Sequence, residues 1–87
     1  MKVKTLTKVT QVNGTEIDVL SAVKELGAAH PIKIACKVKI GSAYSDYLCR
    51  YLARYGFLEK VGGKYNLTAK GEQALKGRKP YYSKIGL

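Results

Sequence analysis

The sequence predicts a small α+β domain that is mostly helical and carries one two-stranded hairpin. Apolar residues recur at helical spacing over residues 15–26 and again over 42–55. The pair Gly62-Gly63 then separates two short strand-like runs, as in a tight hairpin turn. Eighty-seven residues are enough for one domain and too few for two.

The first helix is expected to begin at Thr15, which would act as its N-cap. Asp18, three residues on, stands where a capping-box acid would. Gly27 supplies a C-terminal stop. Apolar residues repeat between these ends at helical spacing, namely Ile17, Leu20, Val23 and Leu26. Nothing on this helix suggests chemistry, so we expect a scaffold.

The next segment fits two structures. Its apolar residues alternate strictly, which is a strand pattern, at Ile32, Ile34, Cys36, Val38 and Ile40. Pro31, however, suits the first position of a helix. Ile34, Ala35 and Val38 also share one helical face. The local pattern alone favours a strand, and only the context can decide.

The third helix is expected over residues 42–55, with Ser42 as its N-cap and Gly56 at its end. One face carries Ser45, Leu48, Cys49 and Leu52. The opposite side carries Ala43, Asp46, Arg50 and Arg54. A stripe of tyrosines runs between the two, formed by Tyr44, Tyr47 and Tyr51.

The hairpin and a last helix complete the domain. Phe57-Leu58 begins the first strand, and Tyr65 and Leu67 lie on one face of the second. Thr68 then caps a short helix that carries Ala69, Ala74 and Leu75. We expect three parts: an N-terminal arm or strand over 1–14, the domain over 15–77, and a basic, Tyr-containing tail over 78–87.

The charge balance points to a polyanionic partner. Sixteen Lys and Arg stand against six Asp and Glu, a formal net charge of +10. Such an excess favours nucleic acid or an anionic membrane surface, although it also keeps a protein dispersed. The N-terminus lacks the apolar core of a signal peptide, and no run is long enough for a membrane span. We therefore expect a soluble, cytoplasmic protein.

Catalysis, metal binding and cofactors are not expected. Cys36, Cys49 and His30 are too few and too scattered for a tetrahedral zinc site. His30 has no obvious nucleophile beside it, and "VGGK" lacks the spacing of a phosphate-binding loop. The cysteines are expected to be free thiols packed as small hydrophobes, and a disulfide between facing helices is the alternative.

The segment "IACKVKIGSAYSDYLCRYLARYGFLEK" is similar to the core of winged helix-turn-helix transcription regulators of the MarR-like and PadR-like groups. The matching places are Ile34-Ala35, Gly41-Ser42, Leu52, Gly56 and Phe57-Leu58. "KYNLTAKGEQAL" resembles the Tyr-x-Leu-Thr-x-x-Gly segment that follows the wing in these proteins. The resemblance covers about residues 15–77, and small archaeal and archaeal-virus regulators are closest in size. It implies that residues 32–38 form a helix and not a strand.

The resemblance also implies a DNA-binding surface, with the third helix in the major groove and the short wing on the backbone. The implied contact residues are Ser42, Ala43, Tyr44, Tyr47, Arg50 and Arg54 on that helix, with Lys33 and Lys64 on phosphates. Arg50 is the best candidate for a guanine or phosphate contact, and a solvated surface arginine is the alternative. Asp46 would repel phosphates unless it accepts from cytosine or pairs with Arg50. Tyr55 is assigned to packing, and Tyr51 stays open.

The implied partners are double-stranded DNA and a second copy of the chain, without a small-molecule effector. One alternative is an RNA-binding or ribosome-associated winged helix. Another is a protein-interaction module in a larger assembly. The tail could strap onto the DNA backbone or dock on a partner subunit, and its residues do not decide between the two.

Overall fold

The computed structural model describes residues 14–78 and Pro80. Its elements are α1 (Thr15–Leu26), α2 (Pro31–Val38), α3 (Ser42–Arg54), β1 (Leu58–Val61), β2 (Lys64–Leu67) and α4 (Ala69–Leu75). The expected arm and tail lie outside the described residues, apart from Gly14, Arg78 and Pro80. The proposed division into three parts therefore stays a prediction.

Helix α1 is the centre of the core. It contacts α2, α3, β2 and α4, and every residue from 17 to 23 is buried, including Asp18 and Ser21. Its N-cap is Gly14 and Thr15 is its first residue, so the prediction of Thr15 as the cap was wrong. Gly27 ends the helix as predicted, and its backbone N–H donates to the Val23 carbonyl at 2.8 Å.

Residues 31–38 form a helix, although they alternate like a strand. His30 is the N-cap of α2, and its Nδ1 accepts a hydrogen bond of 3.2 Å from the backbone N–H of Ile32. Ile34 and Val38 turn into the core, whereas Ile32 is exposed. Lys39 ends the helix in the left-handed conformation, with φ 66°. The helix that the resemblance implied is therefore confirmed. It buries one face of the segment, with Ile34, Ala35 and Val38, in the core.

Helix α3 packs across α2 through the predicted face, on which Ser45, Leu48, Cys49 and Leu52 are buried. The hydroxyl of Ser45 donates a hydrogen bond of 2.8 Å to the carbonyl oxygen of Pro31. Gly41 occupies the N-cap position and Ser42 is the first helical residue, so Ser42 is not the cap that the sequence predicted.

The predicted hairpin is present, with β1 and β2 antiparallel and Leu58 opposite Leu67. Gly62 and Gly63 form the turn with φ 56° and 83°, and two positive φ angles are what a type I′ turn requires. A further antiparallel bridge joins β2 to the α1–α2 loop. In it, the N–H of Ala29 donates to Tyr65 at 3.1 Å and that of Tyr65 donates to Ala29 at 2.8 Å.

Helix α4 begins as predicted, because the Thr68 side chain accepts a 3.1 Å hydrogen bond from the N–H of Gly71. The two cysteines are free thiols, so the alternative of a disulfide is excluded. Cys49 is buried as expected, whereas Cys36 is exposed, so its predicted packing in the core was wrong. Three helices, a short two-stranded wing and a C-terminal helix make up the predicted winged helix-turn-helix fold.

Candidate functional site

The exposed face of α3 collects most of the predicted contact residues. All of them are exposed, namely Ser42, Ala43, Tyr44, Tyr47, Arg50 and Arg54. Tyr44 and Tyr47 leave 48% and 60% of their surface uncovered, which is unusual for large rings. Because the opposite face of α3 is anchored in the core, these side chains are presented on a rigid element.

The tyrosines form a continuous row along α3. Ring centroids lie 6.4 Å apart for Tyr44 and Tyr47 and again for Tyr47 and Tyr51, and 5.0 Å apart for Tyr51 and Tyr55. Tyr51 and Tyr55 are half-buried and pack against the core, as assigned for Tyr55. Desolvation, followed by the charge of Glu16, raises the pKa of Tyr51. The row thus passes from exposed rings near the N-terminus of α3 to packed rings near its C-terminus.

Asp46 and Arg50 form an ion pair one helical turn apart. Arg50 Nε lies 3.1 Å from Asp46 Oδ2, and the two side chains are 71% and 43% exposed. The pairing that the sequence offered as one way to accommodate Asp46 is therefore present. It offsets the charge of the single acidic residue on α3.

Tyr65 anchors the wing in the core. It lies on β2, is only 2% exposed and packs in the core. Burial raises the pKa of its hydroxyl, Cys49 and Asp46 raise it further, and Arg50 lowers it. The sequence predicted the strand face of Tyr65 but not the near-complete burial of its side chain.

Lys33 and Lys64 line the same surface groove, although they are far apart in the sequence. The groove is also lined by Leu26, Ala28, Ala29 and His30. The bridge between Ala29 and Tyr65 brings β2 beside the start of α2, and both lysines are exposed there. The sequence predicted a phosphate contact for each lysine separately. The bridge explains why the two line one groove. The same bridge adds His30, which the sequence did not single out for this surface.

Two acidic residues outside α3 form ion pairs between helices. Glu72 on α4 lies 3.1 Å from Lys24 on α1, and Glu25 on α1 lies 3.0 Å from Lys37 on α2.

Lys60 in the wing lies 5.9 Å from the centroid of the Tyr65 ring. The groove that holds Lys33 and Lys64 has no acidic residue in its lining, so its charge stays positive.

Within residues 14–78 and Pro80, no three His, Cys, Asp or Glu side chains are grouped so that they could hold a metal ion. Over the same residues, no helix has the length and apolar character needed to cross a membrane.

Comparison with known proteins identifies one relevant fold. No protein-family model matches the sequence, and no curated protein is significantly similar to it. A crystal structure from Pseudomonas aeruginosa PA01, named a "putative transcriptional regulator protein", superposes with a TM-score of 0.66 and 26% sequence identity. The match covers 72% of this chain and 47% of that protein, so the chain spans about half of its length. The two proteins share a transcription-regulator fold.

Proposed function

We propose that this protein is a DNA-binding transcription regulator that inserts α3 into the major groove of double-stranded DNA. The observation that carries the proposal is the exposed face of α3, on which Tyr44, Tyr47 and Arg50 project from a helix anchored in the core. The fold shared with a protein named as a transcriptional regulator supports the same role. The formal net charge of +10 suits a polyanionic partner.

Side chains at the start of α3 would make the contacts inside the groove, because the N-terminal part of a recognition helix reaches the base edges. The hydroxyl groups of Ser42, Tyr44 and Tyr47 can donate to phosphate oxygens. Ala43 and the tyrosine rings can contact the methyl group of thymine, and Arg50 can donate to guanine. Arg54, one turn further along, would contact the backbone.

Lys33 and Lys64 would hold a phosphate beside the groove. Their shared groove lacks an acidic lining residue, so both ammonium groups are available to the DNA backbone. The turn of the wing consists of Gly62-Gly63 alone and is too short to penetrate a groove deeply. The wing would therefore rest on the backbone, where Lys64 contributes affinity but no base selection.

We further propose that the regulator acts as a homodimer in the cytoplasm. Dimers of helix-turn-helix proteins bind two half-sites about one helical turn apart, so the preferred DNA should be close to a palindrome. A small core also makes association favourable, because it lets the chain bury more apolar surface. Light scattering on the free protein and on its DNA complex measures the number of chains directly.

Fluorescence anisotropy with three probes tests the proposal. The probes are duplex DNA from upstream of the protein's own gene, random duplex DNA and structured RNA, each across a salt series. We expect salt-sensitive binding with a clear preference for the upstream DNA. Arg50→Ala should cost about 1–3 kcal/mol at the preferred site and flatten the preference.

Two results would decide against parts of this proposal. Tight binding to RNA alone would reject a DNA regulator and favour the RNA-binding alternative. An equal loss on every duplex after Arg50→Ala would reduce Arg50 to a phosphate contact. Lys76→Ala is a suitable control, because it removes an exposed cation at the end of α4, outside the proposed surface.

A further inference from the structure

We infer that Asp46 sets the base preference of α3, because it holds the Arg50 guanidinium ready for a two-point contact with guanine. The inference rests on the proposed function and goes beyond it. Guanine is the base selected, and Asp46 has a positioning role. Asp46 acts through Arg50 and need not touch the DNA itself.

The ion pair uses Nε of Arg50 and not a terminal amino group. Asp46 Oδ2 lies 3.1 Å from Nε of Arg50, so the Nε–H of the guanidinium faces the carboxylate. The two terminal amino groups keep hydrogens that point away from the carboxylate. Guanine presents O6 and N7 side by side in the major groove, and two parallel donors match them. Neither adenine nor a pyrimidine offers this pair of acceptors.

The ion pair also sets the direction of the Arg50 side chain. The ion pair turns Arg50 toward Asp46, which is toward the N-terminal part of α3 that reaches base edges. Arg54 lies one turn beyond Arg50 on the other side, and like charges at this spacing repel each other. Attraction from Asp46 and repulsion from Arg54 therefore favour the same orientation.

The core supports the helix backbone that carries Asp46 and Arg50. Ser45 next to Asp46 is fully buried and bonded to the Pro31 carbonyl, and Cys49 next to Arg50 is fully buried as well. The backbone under both charged residues is thus held by the core. The hydrogen bond to Pro31 ties this turn of α3 to the start of α2.

This role gives Asp46 two opposite effects on binding. Its negative charge repels the DNA phosphates, so it weakens binding to DNA of any sequence. Its bond to Arg50 strengthens the distinction between guanine and other bases. Asp46→Ala should therefore tighten binding to random duplex DNA and reduce base selection. A residue that only stabilises the helix would not move these two quantities in opposite directions.

The test starts from the duplex that the wild-type chain selects from a randomised library. Each guanine of that duplex is replaced in turn by 7-deazaguanine, which loses the N7 acceptor and keeps Watson–Crick pairing. For the wild type, one replacement in each half-site should weaken binding about tenfold or more. For Asp46→Ala and for Arg50→Ala, the same replacement should weaken binding less than about threefold. Asp46→Asn keeps an oxygen that can accept from Nε, and it should keep most of the wild-type response.

Controls separate this role from general effects of charge and folding. Glu72→Ala removes the acid of another exposed ion pair, on α4, and should leave the response to 7-deazaguanine unchanged. Thermal unfolding of Asp46→Ala should remain close to wild type, since exposed ion pairs contribute little to stability. Retention of the full tenfold response by Asp46→Ala would overturn the inference while leaving a DNA regulator in place. Selection of no preferred duplex by the wild type would reject both the proposed function and the inference.

Discussion

Gly71 lies directly against the carbonyl oxygen of Phe57, and no Cβ would fit between them. A Cβ at this position would also lie 2.6 Å from Cδ1 of Leu67. Two hydrogen bonds of 2.6 Å hold the same corner, from the Thr68 hydroxyl to the Gly56 carbonyl and from Lys70 Nζ to the Tyr55 carbonyl. The close packing explains why the segment after the wing needs glycine at this place.

Gly71→Ala should therefore destabilise the protein by about 1–3 kcal/mol, as overpacking in a core usually does. The sign of this stability change tests the close packing, because Gly→Ala in an exposed helix would stabilise the protein by about 1 kcal/mol. Urea unfolding followed by circular dichroism measures the difference. Gln73→Ala is the control, since Gln73 is an exposed residue of the same helix. Equal stability of both variants would contradict the close packing of α4 on Phe57.

Ser45→Ala tests the contact between α2 and α3. The change removes the 2.8 Å hydrogen bond to Pro31 and should lower the free energy of unfolding by about 1 kcal/mol. Ser42→Ala should change it by much less, because Ser42 is exposed and is not the N-cap of α3. Thermal unfolding of the two variants provides the comparison. A larger loss for Ser42→Ala would mean that Ser42 caps the helix after all.

Lys33→Ala and Lys64→Ala test the shared groove. If both lysines contact phosphates, each change should weaken binding to every duplex similarly and lower the slope of log affinity against log salt by about one. Lys76→Ala, outside the groove, should leave the slope nearly unchanged. Titrations at four or five salt concentrations give the slopes. A slope unchanged by Lys64→Ala would remove the wing from the contact surface.

Alkaline pH should destabilise the protein through its buried acids. Burial raises the pKa of Cys49 from 9.0 to about 11, although a hydrogen bond with Ser45 opposes the shift. Because the folded pKa is the higher one, the stability is fully present below pH 9 and is lost as the pH rises toward 11. Tyr65 and Tyr51, whose pKa values are also raised mainly by burial, act in the same direction.

Cys49→Ala isolates the part that belongs to the thiol. The wild type should lose on the order of 2 kcal/mol more than this variant between pH 8 and pH 11. Urea unfolding at the two pH values measures both losses, and Cys36→Ala is the matched control, because Cys36 is exposed. Parallel losses for the wild type and Cys49→Ala would show that the thiol does not ionise differently in the folded and unfolded chains.

The sequence alone predicted the elements that depend on residues close together in the chain. Gly62-Gly63 supplies the positive φ angles of the hairpin turn, and Thr68 supplies an oxygen for the N-terminus of α4. The spacing of Leu48 and Leu52 defines the buried face of α3 and thereby its exposed face. Each of these features depends on residues within one or two turns of one another, so a sequence is enough to find them.

Tertiary structure decided the features that depend on distant partners. Residues 32–40 alternate like a strand, and the burial of Ile34 and Val38 in the core favours a helix. Likewise, Lys33 and Lys64 line one groove because the backbone of Ala29 pairs with that of Tyr65. The sequence by itself determined the order of helices and the wing. The helical conformation of α2 and the groove with Lys33 and Lys64 depend on the tertiary structure. The reason is that burial and hydrogen bonds between distant residues outweigh the local conformational preferences of the chain.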